Sequence, residues 1–286
     1  MMAAEKTFQS AGARDDIENL ARLFANIAVA AGALAMETLA NPNIASRLKG
    51  DTSPVTEADE RIEAYLLREL ETALPGVPFL AEESVSRGKT LGAGDAFLLI
   101  DPIDGTREFL ARSSEFTINV ALAEKNAPRV GAVYAPAQGR VWFAGAHGYE
   151  ARAVPGGSLP PSQDWRPLRA RPRPAEGLVA LISKSHLDEA TKAFLSRQRI
   201  ARSAPVGSSI KFCLLANGEA DVYPRFGPTM EWDTAAGDAV LRAAGGVTLD
   251  PDGAPLRYGK KADDYRNGPF VAWADAAALE AAATLP

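Results

Sequence analysis

Six consecutive residues, Asp101-Pro-Ile-Asp-Gly-Thr106, put two carboxylates, a hydroxyl and a glycine into one short stretch. Carboxylates this close repel each other, and a shared proton or a divalent cation relieves the repulsion. Hard oxygen donors suit Mg²⁺, which binds through a few carboxylates and keeps positions for water and a substrate phosphate. The stretch therefore reads as half of a magnesium site. The run Ala96-Phe-Leu-Leu-Ile100 before it is apolar and β-prone, which predicts a buried strand with the acids at its end. Pro102 donates nothing to a sheet ladder and Gly105 tolerates backbone angles that other residues avoid, so a sharp turn is expected. An aspartyl-phosphate phosphatase, with its Asp-x-Asp-x-Thr pattern, does not fit, because the acids here are three apart and position 102 is not acidic.

Composition narrows the field. The 286 residues suffice for one large or two smaller cores. A net charge of −5 argues against a nucleic-acid partner, which would want a basic face. One cysteine, Cys213, allows no internal disulfide and fits a reducing compartment. Two histidines and one cysteine are too few for a typical zinc site. No signal-peptide core is seen at the N-terminus and no apolar run of transmembrane length, so a cytoplasmic protein without an integral membrane segment is expected. Peripheral association with the inner membrane is left open.

The elements that must position the acids follow in order. Residues 15–40 carry Ile17, Leu20, Phe24, Ile27, Ala31 and Leu34 at helical spacing, and Asn41-Pro42 closes that helix. A polar connector leads to a second helix over 57–73, with Ile62, Leu66 and Leu70 on its buried face. Asp59 is placed towards the same face, or else is a first-turn acid favoured by the helix dipole. Phe79–Glu83 reads as a short strand ending in two acids. Three further strands, 116–123, 129–135 and 140–146, form an antiparallel meander. Residues 155–176, with six prolines and Gly156-Gly157, mark the boundary between a subdomain over 1–154 and another over 177–286. The latter alternates strands (178–183, 220–223, 247–249, 270–273) with helices (187–199, 208–217, 233–244 and one at the chain's end). The whole predicts an α/β, layered α+β fold.

The second acidic cluster, Glu231-Trp-Asp-Thr-Ala-Ala-Gly237, lies at the start of that last internal helix, where Asp233 by itself would be an N-cap. Taken together, Glu82-Glu83, Asp101–Thr106 and Trp232–Gly237 resemble the signatures of the inositol monophosphatase superfamily, metal-dependent and lithium-sensitive phosphatases. The resemblance runs from about residue 15 to 275 and implies an α-β-α-β-α sandwich. It also implies that Glu82, Asp101, Asp104, Asp233 and the main-chain carbonyl of Ile103 hold two or three Mg²⁺ ions, and that Asp59 and Thr106 orient and deprotonate the attacking water. Most of the ligands fall in the N-terminal subdomain, and the C-terminal one completes the site.

Four stretches are similar to the 3′(2′),5′-bisphosphate nucleotidases of the CysQ type: Ser53–Asp59, Ser183-Lys-Ser-His186, Gly207–Phe212 and Tyr223–Thr229. That likeness implies a small nucleotide bisphosphate as partner, hydrolysed at its 3′-phosphate. Gly105, Thr106, Ser183, His186, Gly207, Ser208, Lys211, Arg225 and Asp233 would contact it. The chemistry agrees, since a Gly-Ser-Ser turn opening a helix favours an anion and an arginine can fork onto the uncleaved phosphate. Taken singly, His186 reads as a strand-end surface residue, Lys211 as a solvated helix face, and Arg225 as the partner of a nearby acid. A homodimer is compatible with the family. The alternatives are an inositol monophosphatase or broad sugar-phosphate phosphatase with the same metals and, more remotely, a non-catalytic magnesium or nucleotide sensor.

Overall fold

A computed structural model describes residues 13–41, 44, 46–48, 54–90, 92, 94–184 and 187–276. The elements in chain order are α1 (Ala13–Ala40), β1 (Ser46–Leu48), β2 (Pro54–Thr56), α2 (Glu57–Ala73), β3 (Phe79–Ala81), α3 (Glu82–Ser86), β4 (Ala96–Asp104), α4 (Thr106–Leu110), β5 (Thr117–Glu124), β6 (Ala127–Ala135), β7 (Arg140–Ala144), β8 (Gly148–Arg152) and β9 (Arg166–Pro167). They continue with β10 (Leu178–Ser183), α5 (Glu189–Ser196), β11 (Ile200–Val206), α6 (Ile210–Ala216), β12 (Val222–Arg225), β13 (Thr229–Met230), α7 (Glu231–Ala243), β14 (Val247–Leu249), β15 (Arg266–Asn267) and β16 (Phe270–Trp273).

Strands β3 to β9 form one seven-stranded sheet in sequence order, and β11-β10-β12-β16-β14 form a five-stranded sheet. Successive residues of a strand point to opposite faces, and the large sheet shows this directly. Leu98, Ile100, Val120, Leu122, Ala132, Tyr134, Val141 and Phe143 belong to the core under α1 and α2. Their neighbours Phe97, Leu99, Ala121, Ala123, Val133, Trp142 and Ala144 belong to the core on the α7 side. With both faces covered, these strands read as nearly continuous apolar runs. α6 and α7 fill the layer between the sheets, and α5 covers the outer face of the small sheet together with Leu178, Ala180, Phe194 and Trp273. The layers are helix, sheet, helix, sheet, helix, as expected.

Several local expectations shift. β11 went unanticipated: Ile200-Ala-Arg-Ser-Ala-Pro-Val206 is polar, contains a proline and has no apolar alternation, and it is an edge strand paired in parallel with β10. The strand at Phe79 stops at Ala81, and Glu82 instead opens the one-turn helix α3. α7 begins two residues early, so Asp233 is its third residue rather than its cap. The helix expected at the chain's end lies outside the described residues. Contrary to the expectation of no apolar run of transmembrane length, α1 is long and apolar enough to cross a bilayer, with a mean hydropathy of 1.6 over its most apolar window. In the fold this helix packs on the large sheet, with Ala21, Phe24, Ala25, Ala28 and Ala35 wholly buried.

The close approach of α7 to the large sheet fixes the height of the central layer. A Cβ on Gly131 of β6 would lie 2.5 Å from the carbonyl oxygen of Ala236 and 2.8 Å from Cβ of Ala239. Gly131→Ala is therefore expected to lower the unfolding free energy by about 1–3 kcal/mol through overpacking. The midpoint of urea denaturation reads this out, and an unchanged midpoint would contradict the close packing.

Candidate active site

The acids at 101 and 104 are three residues apart in β4, which in a regular strand would send them to opposite faces. The strand is not regular there. Asp101 pairs with Asn119 and Asp104 with Thr117, so three steps on β4 match two on β5. A bulge of this kind adds one residue and restores the phase, and it also accommodates Pro102, which has no N–H to give. Asp101 and Asp104 both line one cavity of about 240 Å³, while Ile103 is 1% exposed and belongs to the core beneath α1 and α2. Gly105 follows at φ 91°, a left-handed angle that costs glycine little, and turns the chain into α4.

The cavity lies where the C-terminal ends of β4, β10, β11 and β12 meet the starts of α3, α4, α6 and α7. Glu82 comes from α3 and Asp233 from the first turn of α7. Gly105, Thr106, Ser183, Gly207, Ser208, Lys211 and Arg225 also line it, so the structure brings together every expected site residue except Asp59 and His186. His186 lies outside the described residues. Asp59 is wholly buried and is not among the lining residues. Its Oδ2 accepts from the Thr56 amide at 2.7 Å and the Thr56 hydroxyl at 2.6 Å, so it bonds the threonine of its own helix cap. β2, which carries Thr56, packs against α4, and this sets the cap beside the turn that holds Thr106. The hydroxyl of Thr106 donates to the carbonyl of Ile103 at 3.2 Å.

The electrostatics are those of acids waiting for a cation. Burial pushes the Asp101 carboxyl well above the usual range, and Glu82, Asp104 and Asp233 push it further; its side chain also hydrogen-bonds Glu82. Burial, then Asp104 and Glu82, raise Asp233 in the same way. Asp104 is raised by burial and partly relieved by Lys211 and the Ser209 amide. Oδ1 of Asp101 is buried with no hydrogen-bond partner among the described residues. Among those residues no three acids close on a single point. An all-oxygen donor set with one unsatisfied buried carboxylate oxygen fits a hard divalent cation, which needs only a few carboxylates and completes its shell with water or phosphate.

Three of the isolated readings are corrected by burial. Lys211 is 4% exposed rather than solvated, donates to the carbonyls of Val206 (3.1 Å) and Ser208 (2.5 Å), and is pushed down to about 8 by burial. Arg225 forms no ion pair among the described residues; it donates to the carbonyls of Gly227 and Pro228 at 3.1 and 3.0 Å. Glu83, read as the end of a strand, lies inside α3. It is 2% exposed, and its amide donates to Oε2 of Glu63 at 2.6 Å.

Glu63 is a residue the sequence reading missed. It sits one turn after Asp59 on the buried face of α2, and its other oxygen accepts from the Ser84 hydroxyl (2.7 Å) and Arg87 (3.1 Å). It thus clamps the turn that carries Glu82. The i, i+4 spacing of two acids on an otherwise apolar helix face was the available signal. Ser209 was missed too: its amide donates to Asp104 and its hydroxyl to Asn119 at 2.9 Å, tying α6 of the central layer to β4 and β5. Glu231, wholly buried, accepts from the amides of Gly259 (2.6 Å) and Lys260 (2.8 Å) and so seats the start of α7.

Residues 16–283 match the inositol monophosphatase family. The chain is 40% identical over 210 residues to the 3′(2′),5′-bisphosphate nucleotidase CysQ of Escherichia coli K12, covering 73% of this chain and 81% of that one. It is 39% identical over 215 residues to CysQ of Salmonella typhimurium, with the same shares covered. The crystal structure of CysQ from Bacteroides thetaiotaomicron superposes with a TM-score of 0.73 at 32% identity, covering 89% of this chain and 97% of the other. The protein belongs to the inositol monophosphatase family, whose enzymes are metal-dependent.

Without a cation the crowded acids are expected to cost stability, and a bound divalent cation is expected to offset that cost. In chelator, Asp101→Asn is expected to melt above the wild type, because one of the mutually repelling carboxylates is gone. In saturating Mg²⁺ the order should invert, since ligand binding stabilises only the intact site. A wild type that melts higher in both conditions would contradict this picture.

Proposed function

We propose that the protein is a Mg²⁺-dependent 3′(2′),5′-bisphosphate nucleotidase that hydrolyses the 3′-phosphate of 3′-phosphoadenosine 5′-phosphate to give AMP and phosphate. The observation that carries the proposal is the two-sided cavity. One wall is Glu82, Asp101, Asp104 and Asp233; the other presents Ser183, Lys184, Ser208, Lys211 and Arg225 from the small sheet and the adjoining helix. A cavity so divided suits a substrate whose reacting phosphate meets cations and whose remainder carries further negative charge. The 40% identity to a bisphosphate nucleotidase supports the same substrate class.

Each residue has a task that follows from its place. Glu82, Asp101, Asp104 and Asp233, with the carbonyl of Ile103, would hold Mg²⁺. The bound ions would neutralise the phosphate and the charge that develops on the leaving oxygen. Thr106 already gives its proton to the Ile103 carbonyl, which leaves its lone pairs to accept from a water and turn that water towards phosphorus. Asp59, a buried carboxylate behind the α4 turn and fixed by Thr56, would take the water's proton through Thr106, whose hydroxyl would accept that proton and turn its own from the Ile103 carbonyl towards Asp59. The Ser209 amide steadies Asp104 against displacement. Attack by water implies direct transfer, with no phosphorylated residue.

Phosphate release with Mg²⁺ tests the reading, comparing 3′-phosphoadenosine 5′-phosphate with inositol 1-phosphate at equal concentration. A strong preference for the nucleotide is the expected result. Preference for inositol 1-phosphate would keep the metal site but overturn the substrate assignment, and no release from either would overturn the enzymatic reading.

A further inference from the structure

Glu115 is not among the residues that line the cavity, yet it stands where the two walls meet. Its neighbour Phe116 is wholly buried beneath α1 and α2, edge-on to Phe109 with ring centroids 5.0 Å apart. That packing fixes the chain at residue 115 to the large sheet. Two glycine turns close on it. A Cβ on Gly105, just before Thr106, would lie 3.2 Å from the Glu115 carbonyl oxygen. A Cβ on Gly207, just before Ser208, would lie 2.7 Å from the same oxygen and 3.0 Å from Cβ of Glu115. Across this contact the Glu115 carboxylate accepts from the Gly207 amide at 2.8 Å and lies 3.6 Å from the Lys184 ammonium.

The turn that Glu115 grips is one that needs holding. Ser208 has φ 48°, a left-handed angle that a residue other than glycine keeps only where its surroundings enforce it. Lys211 takes the carbonyls of Val206 and Ser208, and the Ser209 amide donates to Asp104. Glu115 adds the tie between the turn's leading amide, at buried Gly207, and the large sheet.

We propose that Glu115 is a positioning residue: by holding the Gly207 amide it sets Ser208 and Lys184 of the substrate wall opposite the acid wall. This rests on the two-sided cavity and the nucleotidase reading above. Without the carboxylate the buried Gly207 amide loses its partner, and the turn gains by shifting to wherever water can satisfy it. The acids stay in place meanwhile. Glu82 is held through Glu63, and Asp233 by the Met230 amide. Ser209 remains bonded to Asn119 and Thr117 at 2.9 Å each, so Asp104 keeps its partner.

The test compares wild type, Glu115→Ala, Glu115→Gln and Glu115→Asp by kinetics on 3′-phosphoadenosine 5′-phosphate and by Mn²⁺ titration of the chelator-stripped proteins. Glu115→Ala is expected to raise KM about tenfold, the scale of one charged hydrogen bond to substrate, with kcat lowered by less than about threefold. Its Mn²⁺ affinity should stay within about twofold of wild type, since the cation ligands are held by other contacts. Glu115→Gln keeps an oxygen for the Gly207 amide and gives up only a half-exposed ion pair, so it should recover most of the KM loss. Glu115→Asp keeps the charge but is one methylene shorter, so it should recover less than glutamine does. A KM in Glu115→Ala within about twofold of wild type would overturn the proposal. So would a Mn²⁺ affinity that falls as far as KM rises, which marks a general loosening, or an aspartate variant that outperforms the glutamine one. A wild type that hydrolyses inositol 1-phosphate but not the nucleotide would sink the nucleotidase reading instead. The same variants on inositol 1-phosphate would then decide the role of Glu115 by the same split of KM and kcat.

Discussion

Several carboxylates buried around one cavity are an expense that no apolar packing recovers. Asp101 has left water and the others have partly left it; Glu82, Asp104 and Asp233 push the Asp101 carboxyl up, and Asp104 and Glu82 push up Asp233. A fold can keep such a group in place only by fixing every acid through contacts elsewhere. Asp101 and Asp104 are fixed by pairing with β5 on either side of a bulge. Glu82 is fixed through Glu63, which holds the next amide and the next hydroxyl. Asp233 accepts from the Met230 amide at 2.9 Å, and Glu231 beside it is nested by two amides. The acids face each other because everything behind them is tied down.

Helix starts carry much of this work. Asp59 and Asp233 occupy the third position of α2 and α7, and each reaches back to the amide just before its helix. In both places a capping acid is also an acid of the proposed chemistry. Capping and catalysis are therefore not competing explanations here: a carboxylate oxygen occupied by a backbone amide is a carboxylate whose direction is set. The helices α2 and α7 begin with such an acid, and α6 begins with Ser209 tethering Asp104.

Much of this was legible in the residues. Apolar, β-prone runs marked β4 to β7, helical spacing marked α1 and α2, and Asp101–Thr106 pointed to paired acids at a strand end. What was not legible depends on tertiary contact. β11 is a strand because β10 offers it an edge, and its polar, proline-containing sequence carries no apolar alternation to mark it. The burial of Lys211, Glu63 and Glu231 follows from layers that close over them, and a charged side chain on a helix gives no local sign of that. The odd spacing of Asp101 and Asp104 would have argued against a shared face without the bulge, which only pairing with β5 makes visible.

The central claim is that these acids form a divalent cation site. The most direct measurement is a titration of Mn²⁺ into chelator-stripped protein, following free ion by electron paramagnetic resonance. The same titration would be run on a variant carrying both Asp101→Asn and Asp104→Asn. The account predicts saturable binding to the wild type, competed by Mg²⁺ and lost in the variant while the fold is retained. Binding that persists undiminished in the variant, or no saturable binding to the wild type, would contradict it.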